Sequence, residues 1–245
     1  MSELLGFGPN QYRLYENGEL PSGGNATLLS LIIHPRSFKE IVLKNRSVLT
    51  DKKLDEIIHK VDKKLHHNVS RQLKHILFPN AIIPDRFNGF SLPNFKKFAN
   101  MVLYFLNVAQ FKTKLNKLLF YADFANYKTS GFSISGCNYA AIDMGPVPDN
   151  FKHIYGLLEK EAFLSTEIKM QFEKETEKFL PLKSSDASLF SEKEIEIMNQ
   201  VRSKFGRYSA TELINISHEE LAWLNNISTN AIIDYSLYAP QLKAV

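Results

Sequence analysis

The chain has 245 residues, of which 44% are hydrophobic and 23% are charged. This balance is typical of a globular protein and excludes a chain that is disordered throughout. The single cysteine, Cys137, excludes a disulfide framework and a four-cysteine zinc site within the chain. It also indicates a reducing compartment, for which we expect the cytoplasm. No apolar run approaches the ~20 residues that cross a bilayer, so we expect no membrane segment.

The net charge of +4 is unevenly distributed along the chain. Residues 1–80 carry 12 Lys and Arg against 8 Asp and Glu, whereas residues 81–245 carry 18 of each. A basic segment is typical of a module that faces phosphate groups. A solvated helical face explains a surplus of four equally well. Charge alone therefore leaves nucleic acid as one of two interpretations.

The first 80 residues predict a segment of short helices. Gly8-Pro9 opens a helix over 10–16, and Asn17-Gly18 ends it, since proline favours helix starts and glycine favours helix ends. Apolar residues at helical spacing predict further helices over 22–33, 38–43 and 50–65. The breaker-rich residues 79–94, with three prolines and a glycine, predict a connecting segment, and we place a linker at 81–94.

Residues 95–245 predict a second domain that is also mainly helical. Helices are expected over 95–105, 112–128, 151–161 and 211–223, with a loop over 129–148. Alternating residues predict a small antiparallel β-hairpin from strands 163–172 and 177–182. Ser191 and Glu194 have the spacing of a capping box, which opens one more helix. The predicted fold class is therefore mainly α with one hairpin.

A helix start within residues 5–18 carries side chains that suit the edges of DNA bases. Its first turn offers Asn10, Gln11 and Arg13, and such amides can bond adenine while arginine can bond guanine or a phosphate. A short surface helix explains the composition as well. The order Gly-Phe-Gly-x-Asn-x-Tyr-x-x-Tyr-Glu-x-Gly-x-x-Pro-Ser resembles the recognition helix in the Xre-like helix-turn-helix of MqsA- and HigA-type antitoxins.

This resemblance implies that Asn10, Gln11 and Arg13 face operator DNA, by which the protein would regulate its own operon. It assigns structural roles to Tyr12, Tyr15 and Glu16. The chain starts inside the first helix of the motif, so we expect a partial helix-turn-helix. A reader of palindromic operators is expected to be a homodimer.

A second pattern covers residues 95–225. Its parts are Lys-Leu-x-Lys-Leu-Leu-x-Tyr-Ala-Asp from position 114, Ile-Ser-Gly-x-x-Tyr from 134, Gly-Pro-Val-Pro from 145 and Ser-His-Glu-x-x-x-Trp from 217. By themselves these residues predict a buried helix, a breaker-rich loop and a covering helix, and they name no function. In this order they resemble the SocA-like, or Panacea, antitoxin domain.

The Panacea resemblance implies a mainly helical domain that binds and neutralises a protein toxin encoded in the same operon. Some relatives act instead as adaptors that deliver the toxin to a cellular protease, and this alternative stays open. No cofactor is implied. Residues of the pattern can line the partner surface or hold the fold, and those we assign to the surface are Tyr121, Asp123, Tyr139, Gly145, Pro146, Val147, Pro148, His218 and Trp223.

An enzyme is the third class of function, and we expect none. Ser217-His218-Glu219-Glu220 lacks the second histidine of a zinc-protease helix, since position 222 is alanine. Cys137 would need the fold to place a histidine beside it before it could act as a nucleophile. Four N-terminal histidines lack the cysteine or carboxylate that would complete a zinc site: His59, His66, His67 and His75.

Overall fold

The computed structural model describes residues 1–79, 83–171 and 174–245. These residues form two compact units, Met1–Gln72 and Leu73–Val245. The secondary structure is mainly helical with small antiparallel strand pairs, which confirms the predicted fold class. Within the described ranges, no helix combines the length and the apolar character needed to cross a bilayer. Residues 80–82, at the predicted start of the linker, lie outside the described part, and the predicted domain boundaries stay predictions.

The helices predicted near the N-terminus are all present. Their bounds are α1 Gln11–Glu16, α2 Gly23–Ile32, α3 Pro35–Lys44 and α4 Asp51–Leu77. Pro35 occupies the first turn of α3, where a missing N–H costs nothing. The first unit has its own small core, whose buried members are Leu4, Leu5, Phe7, Val42 and Val61.

The second unit contains the remaining α-helices of the described residues. Their bounds are α5 Phe95–Leu106, α6 Lys112–Ser130, α7 Phe151–Lys160, α8 Glu192–Phe205, α9 Ala210–His218, α10 Leu221–Leu224 and α11 Tyr235–Tyr238. The predicted capping box of α8 is confirmed, because Ser191 Oγ accepts from Glu194 N–H while the Glu194 carboxylate accepts from Ser191 N–H.

Helix α6 is the centre of the second unit. Every residue from Leu115 to Asn126 is buried, so the helix is enclosed on all sides and has no solvent face over these three turns. It packs against α5, α8, α9 and one strand of each hairpin, at Gly145–Pro148 and Lys174–Pro181. A fully enclosed helix must satisfy its polar side chains inside the protein, and this requirement shapes the site described below.

The loop predicted over 129–148 was wrong in its second half, where β1 (Tyr139–Ile142) and β2 (Gly145–Pro148) form a hairpin. Pro146 and Pro148 made a strand look unfavourable. Both prolines lie opposite residues of β1 whose backbone groups point away from β2: Ala141 N–H donates to Ala231 O, and Tyr139 O accepts from Ile233 N–H. At such positions the ladder needs no N–H from the proline.

The predicted second hairpin is confirmed, with β3 at Leu164–Gln171 and β4 at Lys174–Pro181. Phe172, the predicted end of its first strand, lies outside the described residues. Leu164 and Phe179 are buried at the base of this hairpin. Ile168 and Met170, further along β3 on the same face, are exposed.

The prediction of a single helix over 211–223 was wrong, because the chain forms α9 and α10 with a break between them. Glu220 takes an extended conformation at the break (φ −76°, ψ 133°) and is almost completely buried. Its carboxylate accepts hydrogen bonds from Lys243 N–H at 2.9 Å and from Ala244 N–H at 3.0 Å. Bonds to a distant segment therefore outweigh the helical pattern of the local sequence.

Candidate functional site

Asp123 of α6 fixes the loop that leads into β1. The carboxylate is completely buried, and its Oδ1 accepts from Ile134 N–H and Ser135 N–H, both at 2.8 Å. Its Oδ2 accepts from Ser135 Oγ at 2.6 Å and from the Tyr139 hydroxyl at 2.8 Å. One side chain thus fixes two backbone amides and the first residue of the hairpin.

The protonation states of Asp123 and Tyr139 are those that their hydrogen bond requires. Burial raises the pKa of Asp123, and the hydrogen bonds from Ser135, Tyr139 and Ile134 oppose that shift by favouring the carboxylate. Burial, reinforced by the nearby Asp123 charge, raises the pKa of Tyr139 well above its ordinary value. The tyrosine therefore keeps its proton and stays a donor.

Lys117, six residues before Asp123 on α6, fixes the second strand of the hairpin. Its side chain is completely buried, and its Nζ donates to Pro146 O at 3.0 Å. Burial lowers the pKa of this amine to about 7. Gly145 leaves the space that the amine occupies: it has a φ of +90°, and a Cβ at this position would lie 2.6 Å from Lys117 Nζ. Only glycine accommodates both demands.

His218 and Trp223 hold the tip of the hairpin from the other side. Their rings stack with centroids 3.7 Å apart and planes 9° from parallel. Trp223 Nε1 donates to Ile142 O at 2.8 Å. Burial, followed by the positive charge of Lys117, lowers the pKa of His218, while a hydrogen bond with the Asp143 backbone opposes the shift. His218 and Trp223 are both partly exposed residues and lie at the surface end of the cluster.

Tyr121 belongs to the buried part of the cluster. Its ring stacks on Phe205 at a centroid distance of 4.7 Å. Burial raises the pKa of its hydroxyl, and the nearby carboxylate of Glu220 adds to the effect. Since Glu220 holds the backbone at 243–244, Tyr121 lies where α6, α8 and the C-terminal segment meet.

The structure therefore brings the nine residues that we assigned to the partner surface into one region, with unequal exposure. Tyr121, Asp123 and Tyr139 have no exposed surface, and residues 145–148 are buried as well. Only His218 and Trp223 reach solvent. Any effect of the buried members on a partner must act through the shape of the fold that they hold.

Sequence reasoning missed the residues that surround His218 and Trp223 at the surface. Met144, at the tip of the hairpin, is 49% exposed, and Leu224 beside Trp223 is 47% exposed. Asp143 is also exposed. We name this surface the hairpin face and define it as Asp143, Met144, His218, Trp223 and Leu224. The available sequence signals were the apolar Met144 directly before Gly145-Pro146 and the apolar Leu224 directly after Trp223.

Lys117 was quoted in the motif but not recognised as a site residue. The signal was present, because Phe120, Tyr121 and Phe124 stand off the apolar stripe of α6 and leave no polar face. A lysine in a helix that is apolar on every side must be buried, and a buried lysine needs an acceptor.

The three residues assigned to DNA lie in the first unit, at the start of α1. Asn10 and Arg13 are exposed, and Gln11 is partly exposed with its Nε2 donating to Glu19 Oε1 at 3.4 Å. Tyr15 packs edge-to-face on Phe7 and its hydroxyl accepts from Asn25 Nδ2 at 2.7 Å. The helix is thus anchored by one side while the other faces solvent.

Cys137 and the N-terminal histidines are the residues that we considered for catalysis or metal binding. Cys137 is buried, and burial followed by the Asp123 charge raises the pKa of its thiol, which makes it a weak nucleophile. Within residues 1–79, 83–171 and 174–245, no group of three histidine, cysteine or acidic side chains is placed to hold a metal ion. The side chain of His66 lies outside this description.

Removing the carboxylate of Asp123 should destabilise the protein. Asp123→Ala should lower the free energy of unfolding by about 3 kcal/mol or more, since one unsatisfied buried donor already costs about 1–3 kcal/mol. Urea denaturation followed by circular dichroism measures the change. Asp143→Ala removes an exposed aspartate from the same hairpin and should stay within about 0.5 kcal/mol of wild type. A small, equal effect of both changes on the free energy of unfolding would contradict a stabilising role of the Asp123 carboxylate.

The buried amine of Lys117 should make stability depend on pH. Between pH 7 and pH 10.5 the unfolded chain holds a proton on this amine that the folded chain has released. The free energy of unfolding therefore rises with pH across this window. Lys117→Met should remove a slope that approaches about 1.4 kcal/mol per pH unit. Denaturation series at several pH values compare it with wild type and with Lys160→Met, which removes an exposed lysine of α7 and should keep the wild-type slope.

Comparisons with known proteins give a match to a protein family and to no curated protein or solved structure. A family model does match residues 115–224, which run from the first buried turn of α6 through the hairpins to the end of α10. The matched segment includes all nine assigned residues and the whole hairpin face. Residues 115–224 are similar to the family described as antitoxin SocA-like, Panacea domain.

Proposed function

We propose that this protein is a cytoplasmic antitoxin that binds and neutralises a protein toxin encoded in the same operon. The observation that carries the proposal is the match of residues 115–224 to the SocA-like antitoxin domain. That segment also contains the hairpin face, whose exposed apolar residues lie on a tightly held scaffold. The mechanism is binding, without bond chemistry: the toxin surface is covered, and turnover of the antitoxin releases it.

The hairpin face has the features of a protein contact surface. Met144 and Leu224 supply exposed apolar area, and the partly exposed Trp223 supplies an aromatic ring, which are residue types enriched at the centres of interfaces. Trp223 is fixed through its bond to Ile142 O and its stack on His218. Side chains that are already ordered lose little entropy on binding, so they favour affinity.

Co-expression tests direct neutralisation. The neighbouring open reading frame is expressed with and without this chain in a host that lacks its major proteases. We expect growth arrest by the neighbour alone, restored growth with both, and co-purification of the two proteins. Rescue that needs the proteases would contradict direct inhibition and support a protease adaptor. If the product of the neighbouring reading frame did not arrest growth, it would not be a toxin, and the proposal of a toxin encoded in the same operon would be contradicted.

Variants of the hairpin face test where the toxin binds. Met144→Asp and Leu224→Asp should each weaken toxin binding at least tenfold, about 1.4 kcal/mol, because a charge replaces exposed apolar area at the contact. Isothermal calorimetry with the purified pair measures the affinity. Leu237→Asp is the matched control, since Leu237 on α11 is 51% exposed and lies outside the hairpin face. Equal effects of all three changes would count against this surface.

We also propose that the first unit binds operator DNA through Asn10, Gln11 and Arg13. The observation that favours it is their exposure at the start of α1, on a helix that Tyr15 anchors from another side. The N-terminal turn of a recognition helix is where base contacts are made.

Arg13→Ala should weaken binding to the DNA upstream of the operon by about 1–3 kcal/mol. Fluorescence anisotropy with that duplex and with a random duplex of equal length measures both affinities at one salt concentration. Arg36→Ala, which removes the same charge from an exposed position of α3, should change the affinity for the two duplexes equally. If the wild-type protein bound both duplexes equally well, sequence reading by this helix would be refuted.

A further inference from the structure

Among the residues that the structure describes, strand β3 pairs only with β4, and its other edge has no neighbouring strand. Leu182 N–H donates to Phe163 O at the base of the pair. This bond sets the alternation of an antiparallel ladder, so odd-numbered residues of β3 direct their backbone groups to β4 and even-numbered residues direct them outward. In the described part of the chain, the outward N–H and C=O groups of Ile168 and Met170 have no hydrogen-bond partner.

The same edge exposes apolar side chains. Ile168 is 58% exposed and Met170 is 67% exposed. They continue the face on which Leu164 and Phe179 are buried at the base of the hairpin. The register of β3 with β4 is regular, without a bulge that would turn the edge away from another strand. An edge of this kind is a template for one more strand.

The charged side chains on the other face of β3 favour a second copy of this chain as the strand that pairs with this edge. Glu167 and Lys169 flank Ile168. If two β3 strands pair antiparallel about a two-fold axis, their outward backbone groups face each other only when the axis passes through a residue and not between two residues. A centre at Glu167 or Lys169 would place like charges opposite each other. A centre at Ile168 places Glu167 opposite Lys169 of a second copy, twice in one two-fold arrangement.

We propose that two copies of this chain pair through β3 in an antiparallel, two-fold register centred on Ile168. The two hairpins then form one four-stranded sheet of order β4-β3-β3-β4. On the apolar face Ile168 meets its own copy, and Met170 meets Thr166 of the second copy. Glu167 lies between Lys178 of its own β4 and Lys169 of the second copy, so charges alternate across the sheet.

The groups already engaged at this edge are compatible with the pairing. Thr166 N–H donates to Glu159 Oε1 at 3.0 Å, which leaves Thr166 C=O to accept from Met170 N–H of the second copy. Lys169 Nζ lies 3.1 Å from Glu167 Oε2 of the same strand, and both side chains are about half exposed. They can therefore exchange this contact for the one across the interface. One short strand buries little area, so the dimer should be weak and depend on concentration.

Sedimentation equilibrium of the full-length protein over a dilution series tests the proposal. We expect a monomer–dimer equilibrium for wild type, and at least tenfold weaker dimers for Glu167→Lys alone and for Lys169→Glu alone. An equimolar mixture of the two single variants should form heterodimers, because every lysine at 167 or 169 then faces a glutamate of the other chain. This rescue separates pairing between copies from the ion pair within one strand, which the mixture does not restore.

Cross-linking gives a second measurement. Ile168→Cys adds an exposed thiol, whereas the native Cys137 is buried. A short bismaleimide should join two Ile168→Cys chains and should leave Leu237→Cys chains monomeric. A wild type that stays monomeric, or variants that fail to form heterodimers, would overturn the proposal. Because no toxin is present, either result leaves the antitoxin proposal to its own experiment.

Discussion

The need to satisfy two buried polar side chains of α6 organises the second unit. Lys117 donates to the backbone of β2, and Asp123 accepts from the loop and the first residue of β1. Both side chains are completely enclosed, so each would carry a large desolvation cost without its partners. The hairpin is therefore held at both of its strands by one central helix. Gly145 leaves the space that the Lys117 amine occupies, and Pro146 supplies the backbone carbonyl that accepts from it.

Within the matched segment, buried residues hold the hairpin and exposed residues form its surface. The motif residues Asp123, Tyr139 and Pro146 are buried, so they specify the scaffold. Of the residues that a partner can reach, His218 and Trp223 belong to the sequence patterns, whereas Met144 and Leu224 lie outside them. The similarity of this segment to the SocA-like antitoxin family therefore does not identify a partner.

The sequence predicted the features that depend on local patterns. Helical spacing located most helices, the capping box located the start of α8, and alternation located the β3–β4 hairpin. It failed where distant groups decide. The prolines of β2 fit because Tyr139 and Ala141 bond to residues 231–233, and the break before α10 exists because Glu220 bonds to residues 243–244. The nine assigned residues lie in one region of the structure, but their burial depends on the enclosure of α6, which single motifs do not report.

The two hairpins of the second unit give the protein two surfaces of different character. The β1–β2 hairpin is fixed by side chains of α6, α9 and α10, so its tip is a rigid surface of side chains. The outer part of β3 offers unpaired backbone groups, which recognise another extended strand through main-chain bonds. A toxin contact on the first and a second copy on the second would not compete for the same residues.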